Sequence, residues 1–258
     1  MAKKWSPFPH PDKAFARDAA GLKKAWPRLH KGDCEPLPKD AAILAAWRLF
    51  HAGEFADAVA AGRKAGGSGL NAAVKAQMIY ANYLEKSEAA KLALLEEAAR
   101  WADERRSDAP KDANAHYLYA YSLGRYSQGI SITKALAQGF GGKVKEALLT
   151  ALNLEAKHAD AQTAFGSYQA EIIDKVGGIV AGMTYGAKKD SALEHYQKSL
   201  KLNPDSAIAR IEYANGLIML FGKTRMADAE KLYQEAAKCT PADAMERLDV
   251  ELAKSELE

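Results

Sequence analysis

Few residues in this chain stand in arrangements that could do chemistry. The six histidines, His10, His30, His51, His116, His158 and His195, are scattered singly. None belongs to a His-Glu-x-x-His helix, which would set two imidazoles on one face for zinc. The two cysteines, Cys34 and Cys239, have no ligand spacing and make no disulfide framework. Gly139-Phe140-Gly141-Gly142-Lys143 is glycine-rich and opens a helix, so its free N–H groups could cradle a phosphate. It lacks P-loop spacing and no strand precedes it, so a plain inter-helix turn is the simpler reading. Glu171 and Asp174 share a helical face and could act as an acid pair, but no catalytic partner accompanies them. The expectation is a non-enzymatic protein with no catalytic residues, no metal and no cofactor.

The elements that would position a site are repeated. Ala209–Leu217 follows the pattern Ala-x-apolar-x-Tyr-Ala-Asn-x-Leu, and Ala76–Leu84 repeats it almost letter for letter. Variants begin at Ala115, Ala41 and, most weakly, Ala161, so successive starts are separated by 35, 39, 46 and 48 residues. Each copy carries the apolar stripe of an amphipathic helix. After the fourth copy, Ser191–Ala207 reads as a second helix and its exit turn. Ala192 and Tyr196 place a small and a large residue on one face, and Asn203-Pro204-Asp205 stops the helix. Asp205 and Ser206 then offer a cap to the helix that follows.

Over about residues 39–250 the chain resembles tetratricopeptide-repeat (TPR) proteins, whose period is near 34 residues. Phe165-Gly166 matches the Leu-Gly pair of that motif's first helix, and Gly53–Ala58 its inter-helix turn. Ala192, Tyr196 and Pro204 match its second helix, as do Ala229, Tyr233, Ala236 and Pro241. The C-terminal half, with Gly124-Arg125-Tyr126, also looks like the regulator-of-microtubule-dynamics group. The resemblance implies an all-α, right-handed α-solenoid of about five helix pairs. Residues 242–256 form a C-terminal capping helix over the last apolar face.

In the family the first helices line a concave groove that takes a peptide or protein segment. Its inward motif positions include Trp47, Asn82, Tyr117, Tyr121, Arg125 and Asn215 here. Asparagine can bond a peptide backbone, arginine a carboxylate, and tyrosine can pack a side chain. The expected function is therefore a scaffold or adaptor for a protein partner. Relatives that hold chaperone C-termini carry lysine where this chain has Met78, which puts that activity in doubt.

The longer periods of repeats three and four imply insertions between their two helices. Apolar residues keep a helical period through Ile130, Ile132, Leu136 and Phe140 in repeat three, and through Ile173, Val176, Ile179, Val180 and Met183 in repeat four. Both first helices are therefore expected to be extended, to about Met183 in repeat four, and to bury their apolar faces on each other. The alternative is a small hydrophobic ligand in a pocket between them, lined by Ile130, Phe140, Val176, Gly178 and Met183. Glycine there would let backbone approach the ligand closely.

Composition sets outer limits. The 258 residues carry a net charge of +3, too little to imply nucleic acid, and no apolar run approaches a membrane span. No secretion signal is legible, so the cytoplasm is the default location. Charge is uneven: residues 1–39 hold nine basic residues, Lys3 and Lys4 among them, against four acidic ones. Residues 1–38, with Pro7, Pro9 and Pro11, read as a basic N-terminal arm on a helical repeat domain spanning 39–258. Residues 13–26 suit a short helix with Phe15, Leu22 and Trp26 facing inward. Trp5 and Trp26 are the residues expected to dock the arm.

Overall fold

The computed structural model describes residues 5–258; Lys3 and Lys4 lie outside them. Helices account for all regular structure among the described residues. The arm holds α1 (Ala19–Leu29). Five helix pairs follow: α2 (Ala41–Ala52) with α3 (Phe55–Ala65), then α4 (Gly69–Tyr83) with α5 (Glu88–Asp108). In the third pair, α6 (Ala113–Gln128) and α8 (Phe140–Leu154) flank the short α7 (Ile132–Ala137). In the fourth, α9 (Ala159–Val176) and α11 (Lys189–Leu202) flank the single turn α10 (Gly178–Val180) and a π-helical turn, Ala181–Tyr185. The fifth pair is α12 (Ala207–Phe221) and α13 (Met226–Ala237), and α14 (Ala244–Ser255) closes the chain. Each helix packs on its sequence neighbour, so the chain is an all-α solenoid. No helix among the described residues is long and apolar enough to cross a membrane.

Side chains fix where the first helices begin. Asp40, Asp112 and Ser206 accept backbone N–H groups at the starts of α2, α6 and α12, and His158 Nδ1 does so for α9. Each satisfies one of the donors a helix N-terminus leaves open. The alanine excess has a packing use. Alanines such as Ala72, Ala76, Ala115 and Ala161 have essentially no exposed surface, which lets neighbouring helices approach closely. Gly166 and Gly216 serve the same end around Tyr196: a Cβ on Gly166 would lie 3.0 Å from its ring, and one on Gly216 2.6 Å.

The insertions differ from the sequence expectation. With 16 and 18 residues, α6 and α9 are the longest of the five first helices, but neither continues through its insertion. Helix α6 ends at Gly129, and Ser131 caps a separate α7. Helix α9 ends at Gly177, whose φ of 78° belongs to the left-handed half of backbone space that glycine adopts without strain. The mutual burial expected of the two inserts is only partial: Phe140 and Ile173 are buried, and Ile130 and Val176 partly so. Ile179 and Met183 are 81% and 85% exposed, and Ile132, Leu136 and Val180 are exposed as well.

The closing helix does more than cover the last repeat. Helix α14 packs on α12 and α13 and also touches α2, so it bridges from the last pair to the first. Ala244 and Leu248 share one apolar cluster with Trp26, Trp47 and Phe50.

Candidate functional site

The first helices of the first three pairs are covered by the chain's own arm. Leu22, Trp26 and Leu29 of α1 are buried in the cluster of the first repeat. Trp26 meets Trp47 edge to face at 6.1 Å and stacks on His30 at 4.0 Å. Trp5 stacks on Tyr80 of the second pair at 3.9 Å. Helix α1 is capped by Asp18, so it begins later than residue 13, and it runs through Pro27 instead of stopping there.

Beyond α1 the segment His30–Glu35 turns its carboxylates into the groove. Cys34 has φ 52°, a left-handed conformation that costs a non-glycine residue about 1 kcal/mol or more. The turn sets Asp33 and Glu35 against the first helices of pairs two and three. Asp33 bonds the Lys75 ammonium through one oxygen and His30 Nδ1 through the other, at 2.9 Å. Glu35 accepts from the side-chain amides of Asn71 at 3.2 Å and Asn114 at 2.7 Å. Asn114 also donates to the Asp33 carbonyl and accepts from His158 Nε2 at 3.0 Å. His51 links the arm to the C-terminus: its Nε2 lies 3.1 Å from His30 Nε2, so one ring donates to the other, and its Nδ1 lies 2.6 Å from Asp243. Arg28 grips Glu246 with two hydrogen bonds of 2.6 and 2.9 Å, and Arg17 donates to the Ala242 carbonyl.

The ionisation of this cluster follows from its burial. Burial opposes the charge of Lys75, but Asp33 and Asp160 outweigh it and hold the ammonium well above its ordinary value. Burial opposes Asp33 too, yet Lys75 and His30 keep its carboxyl below the usual range. Glu35 has no cation in contact among the described residues, and burial with the charges of Asp33 and Asp112 pushes it up to about 8. Burial lowers His30 and His158 to about 4.

Arm and α14 together cover part of a cavity of about 180 Å³, roughly the room of a dozen water molecules. Leu29 and Gly32 of the arm and Met245, Glu246 and Asp249 of α14 form one wall. The opposite walls come from α4, α6, α9 and α12. Its lining is divided. Phe140, Val144, Leu148, Ile172 and Val176 make an apolar end beside α7, while Lys75, Tyr83, Tyr117, Tyr121, Asp160 and Asp249 supply polar groups. Gly32 leaves room for Asp160, whose carboxylate would lie 2.3 Å from any added Cβ.

The sequence-derived groove residues divide among three places. Tyr117, Tyr121 and Arg125 line the cavity. Asn82 donates to the Tyr121 hydroxyl at 3.1 Å, and Arg125 pairs with Glu212, which raises the guanidinium further. Asn215 accepts from the Tyr233 hydroxyl at 2.6 Å, away from the cavity lining. Trp47 is 1% exposed beneath Trp26 and has no surface for a partner. Of the alternative pocket, Phe140 and Val176 line the cavity and Ile130 packs on the core cluster nearby. Gly178 and Met183 lie on the exposed turn after Gly177, outside the lining, because α9 breaks before reaching them. Gly141 lines the cavity at the start of α8, whose N-cap Gly139 is left-handed at φ 65°. Asp160 and Asp249 are cavity residues that sequence reasoning missed, whereas Lys75 is legible as an inward motif position of its first helix. Asp249 gives no such signal, because its helix reads as a cap.

Comparison with known proteins places the fold. A scan of protein-family models finds no match, and a search of curated proteins finds none. Among solved structures, the chain is similar to the crystal structure of a thermophilic TPR protein from Thermus thermophilus. The TM-score is 0.56 at 15% identity, over 83% of this chain and 97% of that one. That likeness concerns the fold. The narrower likeness to the regulator-of-microtubule-dynamics group gains no support from it.

Proposed function

We propose that this protein is a non-enzymatic binding module that holds a small amphiphilic molecule in its central cavity. The observation that carries the reading is the covering of the first helices by the arm and α14, which leaves a partly covered space with an apolar end and a polar end. Small-molecule sites have this character: concave, mostly apolar, with a few placed polar groups. An extended peptide in the groove would first have to displace Trp26 and the Asp33–Lys75 pair.

Gly124 supplies the test. It lines the cavity inside α6, and a Cβ built on it meets nothing within 4 Å. Gly124→Leu therefore fills the cavity without distorting the helix. The expected result is that single-chain amphiphiles raise the melting temperature of the wild type and leave Gly124→Leu unmoved. Equal stabilisation of both proteins would refute the reading.

A scaffold role for a protein partner is favoured by a second observation. Ile132, Leu136, Ile179, Val180 and Met183 are all exposed on the two inserts, and exposed apolar groups of this kind mark interaction surfaces. Solenoids also commonly bind along extended surfaces. Cross-linking from cysteines placed at Ile179 and Met183 would reveal such a partner, and its absence there would leave the cavity reading alone.

A further inference from the structure

The charges around the cavity do not all cancel. Lys75 is engaged by Asp33, Arg125 by Glu212, and Glu246 by Arg28. Lys175 stands 3.7 Å from Glu171. Among the described residues, two carboxyl groups of the lining remain without a cation in contact, Asp160 and Asp249. Asp160 makes no side-chain hydrogen bond among the described residues. Asp249 is 3% exposed, and only its Oδ1 is bonded, by the Tyr83 hydroxyl; Oδ2 has no partner among the described residues and sits at the cavity wall. Tyr117 and Tyr121 stand in the same lining, with ring centroids 6.1 Å apart.

We infer, building on the cavity reading above, that the ligand is an amphiphilic amine whose cationic head lies between Asp160 and Asp249 and whose apolar body reaches toward Phe140 and Val176. An ammonium donates to carboxylates in charge-assisted hydrogen bonds and is attracted to tyrosine faces. A carboxylate head would meet the like charge of Asp160, and a hydroxyl brings no charge to either acid. Burial pushes Asp249 up to about 8 and Asp160 up to about 6. A bound ammonium reverses that pressure, so binding near neutral pH expels a proton from Asp249.

The test uses the full chain with decylamine, decanol and decanoate, matched in length, by titration calorimetry at pH 7. Decylamine is expected to bind at least about tenfold tighter than the other two, a difference of about 1.4 kcal/mol. Calorimetry in two buffers of different ionisation enthalpy should show proton release with decylamine and none with decanol. Asp160→Asn and Asp249→Asn should each weaken decylamine about fivefold or more and leave decanol unchanged. Asparagine keeps the shape at both positions and the acceptor for Tyr83 at 249, and Asp160 is less buried, so the pair of variants guards against a folding failure in either. Decanoate or decanol binding as tightly as decylamine overturns the amine inference while the cavity reading stands, provided Gly124→Leu abolishes that binding. Binding of all three that survives Gly124→Leu, or no binding of any, overturns both.

Discussion

His51 and Asp243 stand 192 residues apart in the chain and 2.6 Å apart in the fold, with both side chains almost fully buried. The contact joins the first helix pair to the residue that caps α14, because Asp243 also accepts the Glu246 N–H through its other oxygen at 2.8 Å. It turns an open solenoid into a closed one. Asp243→Ala removes the helix cap and the partner of a buried imidazole together, and a loss of about 3–5 kcal/mol is expected for breaking a buried pair. His51→Ala leaves Asp243 buried without its partner and should cost a similar amount. The double variant should cost clearly less than the sum, since the two residues act as one unit. Urea unfolding measures all three, and additive losses would show that the pair does not couple the chain ends.

Lys75 holds the arm in the groove. In Lys75→Met the Asp33 carboxylate stays buried with only the neutral His30 ring beside it, so undocking of the arm becomes the cheaper outcome. Undocking uncovers Trp26 and Trp47 and exposes Arg28 and Lys31 to trypsin. The expected readout is a red-shifted tryptophan emission and early cleavage within residues 28–31, at a rate at least about tenfold above the wild type. Asp33→Asn with Lys75→Met, which removes both charges, should restore much of the protection. A variant as resistant as the wild type would mean that aromatic packing alone holds the arm.

Much of the scaffold was legible because its signals are local. The alanine and aromatic positions that recur through the chain lie within single helices, and proline or glycine closes most pairs. The insertions defeat sequence reading for an equally local reason. Apolar residues continue at helical spacing through Ile179 and Met183, but periodicity is blind to whether anything covers them, and Gly177 overrides it with a left-handed backbone. The site was half legible. Tyr117, Tyr121 and Arg125 came from the inward face of α6, and Phe140 and Val176 from the inserts, and the fold brings these two groups to one cavity. Trp47 reads as open groove because the arm that covers it is tied down by contacts across 21 to 225 residues, which no spacing rule registers.

Stability should fall between about pH 6.5 and 8. Glu35 and Asp249 have ordinary values of 4.5 and 3.8 and are raised to about 8 in the fold. The unfolded chain releases these protons near pH 4 while the folded one keeps them to about 8. Their contribution is complete below pH 4 and is lost progressively as pH rises to 8, at no more than about 1.4 kcal/mol per pH unit for each group. His30 and His158 act in the opposite sense, lowered from 6.5 to about 4. The unfolded chain takes up their protons below 6.5, so their contribution is full above 6.5 and lost as pH falls toward 4. The two effects oppose one another in acid, and above 6.5 only the carboxyls act. Melting temperature should therefore decline from pH 6.5 to 8, and Glu35→Gln with Asp249→Asn should flatten the decline. A wild-type melting temperature that climbs across this window would contradict the assignment.

Glycines inside the helices should separate by what surrounds them. At Gly216 a Cβ would stand 2.6 Å from the Tyr196 ring and hydroxyl, and at Gly62 it would stand 2.5 Å from the Gly69 carbonyl oxygen. Tyr196 cannot retreat. It is 1% exposed, stacked on Tyr213 at 5.0 Å, and its hydroxyl donates to Ser167 at 3.1 Å. Alanine gains up to about 1 kcal/mol over glycine in a helix, but overpacking typically costs about 1–3 kcal/mol. Gly216→Ala and Gly62→Ala should therefore be net destabilising. Gly124 stands in an equally helical backbone with nothing within 4 Å of an added Cβ, so Gly124→Ala should gain most of that roughly 1 kcal/mol. Denaturant midpoints for the three variants decide between packing and propensity. If all three move the same way, helix propensity alone governs these positions, and the close approach of helices around Tyr196 is not what fixes them.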